Sequence, residues 1–115
     1  MTVPGYVPDT GDLIWTDFDP TLGREQAGRR PALVVSPALF TENTGFAIVC
    51  PITSRVRQFP TSVVLPGGLP VAGEILTSHI RSVDTLARPV HYAGATVSPQ
   101  TAQQVRARLN ALIAI

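Results

Sequence analysis

Lysine is absent from this 115-residue chain, cysteine occurs once, histidine twice, and aromatic residues make up only 6%. A single cysteine, Cys50, excludes an internal disulfide and offers at most one thiolate to a metal, so neither a disulfide-stapled scaffold nor a zinc finger is expected. Cys50 lies in an apolar run and reads as a buried strand residue. Apolar runs such as Leu13–Trp15 and Ala47–Cys50 are far shorter than the ~20 residues that cross a bilayer as a helix. Met1 to Tyr6 carries neither the basic stretch nor the apolar core of a secretory signal, so a cytoplasmic protein with no membrane partner is expected.

What the chain does contain is unevenly spread. The formal net charge is only +1, which argues against a protein that grips nucleic acid over its whole surface. Residues 1–23 hold Asp9, Asp12, Asp17 and Asp19 without a base. Residues 24–57 hold Arg24, Arg29, Arg30, Arg55 and Arg57 against Glu25 and Glu42. The central segment is therefore a local anion site. Every basic side chain is arginine, whose planar fork fits phosphate and base edges; a GC-rich genome accounts equally well for the surface positions.

Eleven prolines and nine glycines punctuate short apolar runs, the pattern of a mostly β domain with tight connections, one domain over residues 1–115. Strands are expected at 12–18, at 31–36, at 45–50 running on to Ser54, and at 61–65. A fifth, kinked in its middle, is expected from 74–77 and 80–84. Polar loops are expected at 21–30 and 55–60, and a turn at 66–70. Ser98-Pro99 is a helix start, serine as cap and proline in the first turn. After it Ala102, Val105, Leu109, Leu112 and Ile113 recur at helical spacing. One helix closing a five-stranded barrel is the expected architecture, its apolar face covered either by the barrel or by a second subunit.

The stretch Gly23-Arg-Glu-Gln-Ala-Gly-Arg-Arg-Pro31 is the most informative: a polar, glycine-hinged loop between two apolar strands. From chemistry alone Glu25 and Arg30 are equally a surface ion pair. Gly11-Asp-Leu-Ile-Trp-Thr-Asp-Phe-Asp-Pro20, Glu25-Gln-Ala-Gly-Arg-Arg-Pro31 and Val34-Val-Ser-Pro37, however, resemble the N-terminal signature of the MazF/PemK (Kid) family of toxins. The resemblance runs on through Pro51-Ile-Thr53, the strand from Ile75 to Asp84 and the closing helix. It implies an SH3-like barrel, a homodimer, and a type II toxin that cleaves single-stranded mRNA at a short motif without metal or cofactor. It also implies an antitoxin whose acidic, extended tail occupies the RNA groove and through which alone operator DNA is bound.

Metal-free RNA cleavage uses the neighbouring 2′-OH as nucleophile and leaves a 2′,3′-cyclic phosphate and a 5′-OH. It needs a proton acceptor, a proton donor and groups aimed at the charge growing on phosphorus-bound oxygen. By the resemblance, Arg30 is the catalytic arginine and Thr53 the matching hydroxyl. A guanidinium is effectively always protonated, so Arg30 is better placed as a clamp than as a base. Glu25 then positions Arg30 or assists the 2′-OH. RNA contacts are expected from Gln26, Arg29, Ser54, Arg55, Arg57, His79 and Arg81, with Phe18 either stacking a base or in the core. Trp15 reads as wall more than platform. His79 stands where relatives commonly carry glutamine, a departure bearing on base recognition or pH dependence. Three alternatives stay open: a two-histidine nuclease using His79 and His91, a gyrase-poisoning toxin of the CcdB type on the same fold, and a non-catalytic SH3-like module binding RNA or protein.

Overall fold

A computed structural model describes residues 5–17 and 29–115. Within them the chain forms β1 (Asp12–Asp17), β2 (Arg29–Val34), α1 (Ala38–Thr44), β3 (Phe46–Thr53), β4 (Val63–Val64) and β5 (Glu74–Ile75). A 3-10 turn (Thr77–His79), β6 (Arg81–Asp84), β7 (Val90–Thr96) and α2 (Pro99–Leu112) complete it. The strands pair in the order β4-β5-β3-β2-β1-β7, and β6 adds to β3. The fold is thus mostly β with a C-terminal helix, the class expected.

β3 is the hub. Ala32 to Val34 of β2 lie opposite Pro51 to Val49 of β3. On the other edge of β3, β6 pairs with Phe46 to Val49 and β5 with Ile52 and Thr53. β5 and β6 are the two halves of the kinked strand read from the sequence, parted by the 3-10 turn. The Leu76 N–H keeps the halves attached by donating to the Pro51 carbonyl at 2.8 Å.

Alternation along β1, β2 and β3 serves two apolar faces. Leu13, Leu33, Cys50 and Ile52 join Val63, Leu65, Val71, Ile75, Val97 and Val105 in one cluster. Their neighbours Ile14, Ala32, Val34, Ala47 and Val49 join Val83 and Val90 in the other. Cys50 is buried, as expected, and burial pushes its thiol up to about 12. In α2 the Ser98 hydroxyl accepts from the Thr101 N–H at 3.2 Å, the cap read from Ser-Pro. Ala102, Val105 and Leu109 pack on the first cluster, while Leu112 and Ile113 are exposed. The expected apolar face is therefore split: its first turns cover the core and its last does not.

Several expectations need correction. Among the described residues seven strands stand where five were expected, because the kinked strand divides and because Val90–Thr96 pairs with β1, Trp15 opposite His91 and Ile14 opposite Tyr92. A second helix, α1, fills the stretch after Pro37. It ends at Gly45, whose left-handed backbone (φ 82°) directs its N–H to the Thr41 carbonyl at 2.8 Å. Arg29 and Arg30 belong to β2 and not to the preceding loop, since Asp17 and Thr16 of β1 extend the ladder to them. Pro31 fits inside this strand because the pairing to β3 begins only at Ala32. No described helix is long and apolar enough to cross a membrane.

Candidate functional site

The ladder of β2 on β3 ends at Ala32 opposite Pro51, and Arg30 and Thr53 each lie two residues beyond that last pair on their own strands. Arg30 and Thr53 line one cavity of about 380 Å³, together with Arg29, Ser54 and Trp15 and closed by Pro70, Val71 and Ala72. Trp15 also packs against the first core cluster, so it is both wall and groove surface. Thr53 is half-buried and the two arginines are exposed. Beyond Thr53 a second cavity of about 440 Å³ opens, lined by Arg55, Arg57, Phe59 and His79 among others. Thr53 lines both cavities and marks their junction. The Thr53 hydroxyl oxygen accepts from the Arg55 N–H at 3.2 Å, which occupies a lone pair and leaves its hydrogen to be donated.

A carboxylate not singled out in the sequence organises this second half. Glu74 of β5 lies opposite Thr53 and is fully buried. Its Oε1 accepts from the Arg57 N–H at 2.7 Å and the Gln58 N–H at 3.1 Å, and its Oε2 from the Phe59 N–H at 2.9 Å. The bond from Arg57 does most to hold the Glu74 carboxyl below its usual range; burial opposes this, and the Phe59 and Gln58 donors reinforce it. The Ser62 hydroxyl, buried beside it without a well-formed hydrogen bond, adds to the same effect. Gly73 explains how β5 reaches Thr53: a Cβ there would stand 2.2 Å from the Thr53 carbonyl oxygen, and its φ of 136° suits glycine. The signal available in the sequence was a lone acid after glycine inside the apolar stretch Val71-Ala-Gly-Glu-Ile-Leu76.

Comparison with known proteins decides the family. The model of the PemK-like, MazF-like toxin of type II toxin–antitoxin systems matches residues 9–113. The endoribonuclease toxin MazF of Escherichia coli (strain K12) is 44% identical over 111 residues, 96% of this chain and 98% of that protein. The chain belongs to the PemK/MazF toxin family. Two solved structures from Deinococcus radiodurans agree. MazF (Form-I) superposes with a TM-score of 0.85 at 43% identity, over 96% of this chain and 99% of that one. The MazE-MazF structure (Form-III) does so with a TM-score of 0.86 at 41% identity and the same coverage.

Within this PemK/MazF-type chain the expected site residues divide. Arg29, Arg30, Thr53 and Ser54 meet in the first cavity, and Arg55, Arg57 and His79 in the second. Arg81, on β6 opposite Val49, lines neither of these two. Glu25, Gln26 and Phe18 lie outside the described residues. The two histidines do not share either of these cavities: His79 lines the second, while His91 sits on β7 opposite Trp15 and lines neither.

Since folding lowers the carboxyl of Glu74, its stabilising contribution is complete above the unfolded value near ~4.3 and is lost as pH falls through the lowered folded value. Thermal midpoints of the wild type and of Glu74→Gln, separated at neutral pH, should converge on acidification. A gap that stays constant down to acid unfolding contradicts this.

Proposed function

We propose that the groove joining Arg30 to Thr53 is where this toxin cleaves single-stranded mRNA at a short motif, without metal or cofactor. The carrying observation is that the two side chains line one cavity. The endoribonuclease names of the relatives favour this reading over gyrase poisoning and over a non-catalytic binding module.

In the proposed reaction the 2′-oxygen of the upstream ribose bonds to phosphorus, its proton passes to an acceptor, and the P–O5′ bond breaks. The departing 5′-oxygen takes up a proton, leaving a 2′,3′-cyclic phosphate and a 5′-OH with no water consumed. The Arg30 guanidinium clamps the phosphoryl oxygens as charge grows on them. The Thr53 hydroxyl donates to the same oxygens, its lone pair being committed to Arg55. Glu25 serves as the acceptor or positions Arg30. Arg29, Ser54, Arg55 and Arg57 meet phosphates and base edges along the groove, Trp15 offers a ring for stacking, and Gln26, Phe18 and Arg81 are expected to make further RNA contacts.

The finer architecture belongs to the same proposal: one domain whose sheet closes as an SH3-like barrel, and a homodimer. The exposed Leu112, Ile113 and Ile115 supply apolar surface for a second subunit. The partner is an antitoxin whose acidic, extended tail neutralises the arginines of the groove and carries the contact to operator DNA.

Purified protein incubated with a long single-stranded RNA in EDTA should give discrete cuts with 5′-OH ends. Arg30→Ala should lower the cleavage rate by at least ~10²–10³-fold with an unchanged circular dichroism spectrum. Substantial residual cleavage rejects Arg30 as the centre. Replacing His79 by glutamine tests the departure at that position: the distribution of mapped cut sites is expected to change, and an unchanged distribution removes His79 from base recognition.

A further inference from the structure

Residues 55–59 form an exposed segment outside helix and strand, and such a segment loses conformational entropy at every residue when it is ordered. Its alternate residues Arg55, Arg57 and Phe59 nonetheless all line the second cavity. We propose that Glu74 is the positioning residue for RNA binding by this segment, its buried carboxylate gathering the N–H groups of residues 57–59 so that the arginine side chains are held on the groove wall beside Thr53. The inference rests on the reading of the groove as the RNA site.

Three observations support it. First, both carboxylate oxygens are engaged by three successive main-chain donors, between 2.7 and 3.1 Å. Successive N–H groups converging in this way form an anion-binding concavity, and here the anion is internal. Glu74 takes main-chain donors and not the guanidinium groups, so it orders the arginines without consuming their charge. Second, Gln58 sits at φ 56°, the one non-glycine residue with a left-handed backbone among those described. A conformation of that kind persists where surrounding interactions over-determine it, and the hydrogen bonds to Glu74 from Gln58 and both its neighbours do so. Third, Glu74 is the ladder partner of Thr53. The tether of the arginine segment and the reactive hydroxyl therefore share one strand pair, so the spacing between Thr53 and the arginines is set by a rigid element. A carboxylate that only filled the core would be cheaper as an apolar residue, given what burial of a charge costs.

The test uses Glu74→Gln, Arg57→Ala and the double variant. The probe is a single-stranded RNA oligonucleotide carrying 2′-deoxyribose at the mapped cut site, so that it binds without being cleaved. Glutamine keeps the shape but presents N–H where the segment's own N–H groups must be accepted. Glu74→Gln is expected to weaken binding of this probe and, on the matching cleavable RNA, to raise KM more than it lowers kcat. The slope of log affinity against log salt should shrink by about 0.7 for each phosphate that the variant no longer neutralises. Arg57→Ala should show the same loss of slope, and adding Glu74→Gln to it should cost less than it does alone. A folded Glu74→Gln protein with wild-type affinity and slope overturns the proposal, as does full additivity with Arg57→Ala. If the wild type neither binds nor cuts RNA, the reading of the groove falls and this inference with it. If the wild type does both and Glu74→Gln matches it, only the inference falls. Should Glu74→Gln not fold, the wild type decides. Amides of residues 57–59 protected from hydrogen exchange, with a reduced salt slope for Arg57→Ala, support the proposal; exchange at unstructured rates overturns it.

Discussion

The antiparallel register of β2 on β3 is the constraint from which the rest of the molecule takes its geometry. With Ala32 opposite Pro51, inward residues of both strands reach the two apolar clusters, and just past the end of the ladder Arg30 and Thr53 line one cavity. A slip of one residue would turn every side chain of β2 to the other face. It would send Leu33 out of the first cluster, Ala32 and Val34 out of the second, and Arg30 away from Thr53. Fold and site are thus specified by one choice of pairing, and the buried clusters, Leu33 at 2% exposure and Val34 at 0%, make that choice costly to change.

β3 carries this arrangement to the other side of the groove. Its last residues turn from pairing with β6 to pairing with β5, and the close approach at Gly73 lets Glu74 sit against Thr53. The buried carboxylate then engages a segment with no regular structure of its own. The groove consists of two unlike halves joined at one threonine: a rigid half built on β1, β2 and β3, and a half whose backbone is held through hydrogen bonds to a single side chain. In the proposed reaction the rigid half meets the phosphate that changes, where positional error is most expensive, and the tethered half meets its neighbours.

The parts legible in the sequence were those governed by local pattern. Short apolar runs bounded by proline and glycine placed β1, β2 and β3, Ser98-Pro99 placed the start of α2, and the break between Thr77 and Ile80 placed the kink. What escaped was decided by tertiary packing. Val90-His-Tyr-Ala-Gly-Ala-Thr96 is rich in small residues with weak strand preference and becomes β7 because β1 offers an edge. Ala38–Thr44 is too short for helical periodicity, although Pro37 before it and Gly45 after it were boundary signals. Arg29 and Arg30 read as loop because charge dominates their composition, while their strand geometry comes from β1. Glu74 escaped because its partners are main-chain N–H groups, which leave no trace in side-chain pattern. That Arg30 and Thr53 line one cavity was suggested by family resemblance and not by chemistry alone, since an arginine and a threonine 23 positions apart carry no signature of their own.

The central claim, that one scissile phosphate is held between a guanidinium at position 30 and a hydroxyl at position 53, is tested most directly by a crystal structure. The complex needed is of this protein with an RNA strand made uncleavable by 2′-deoxyribose at the mapped cut. The account predicts phosphoryl oxygens of that nucleotide within hydrogen-bond distance of both the Arg30 guanidinium and the Thr53 hydroxyl. A strand bound with its scissile phosphate elsewhere, or with Arg30 turned away from it, contradicts the account.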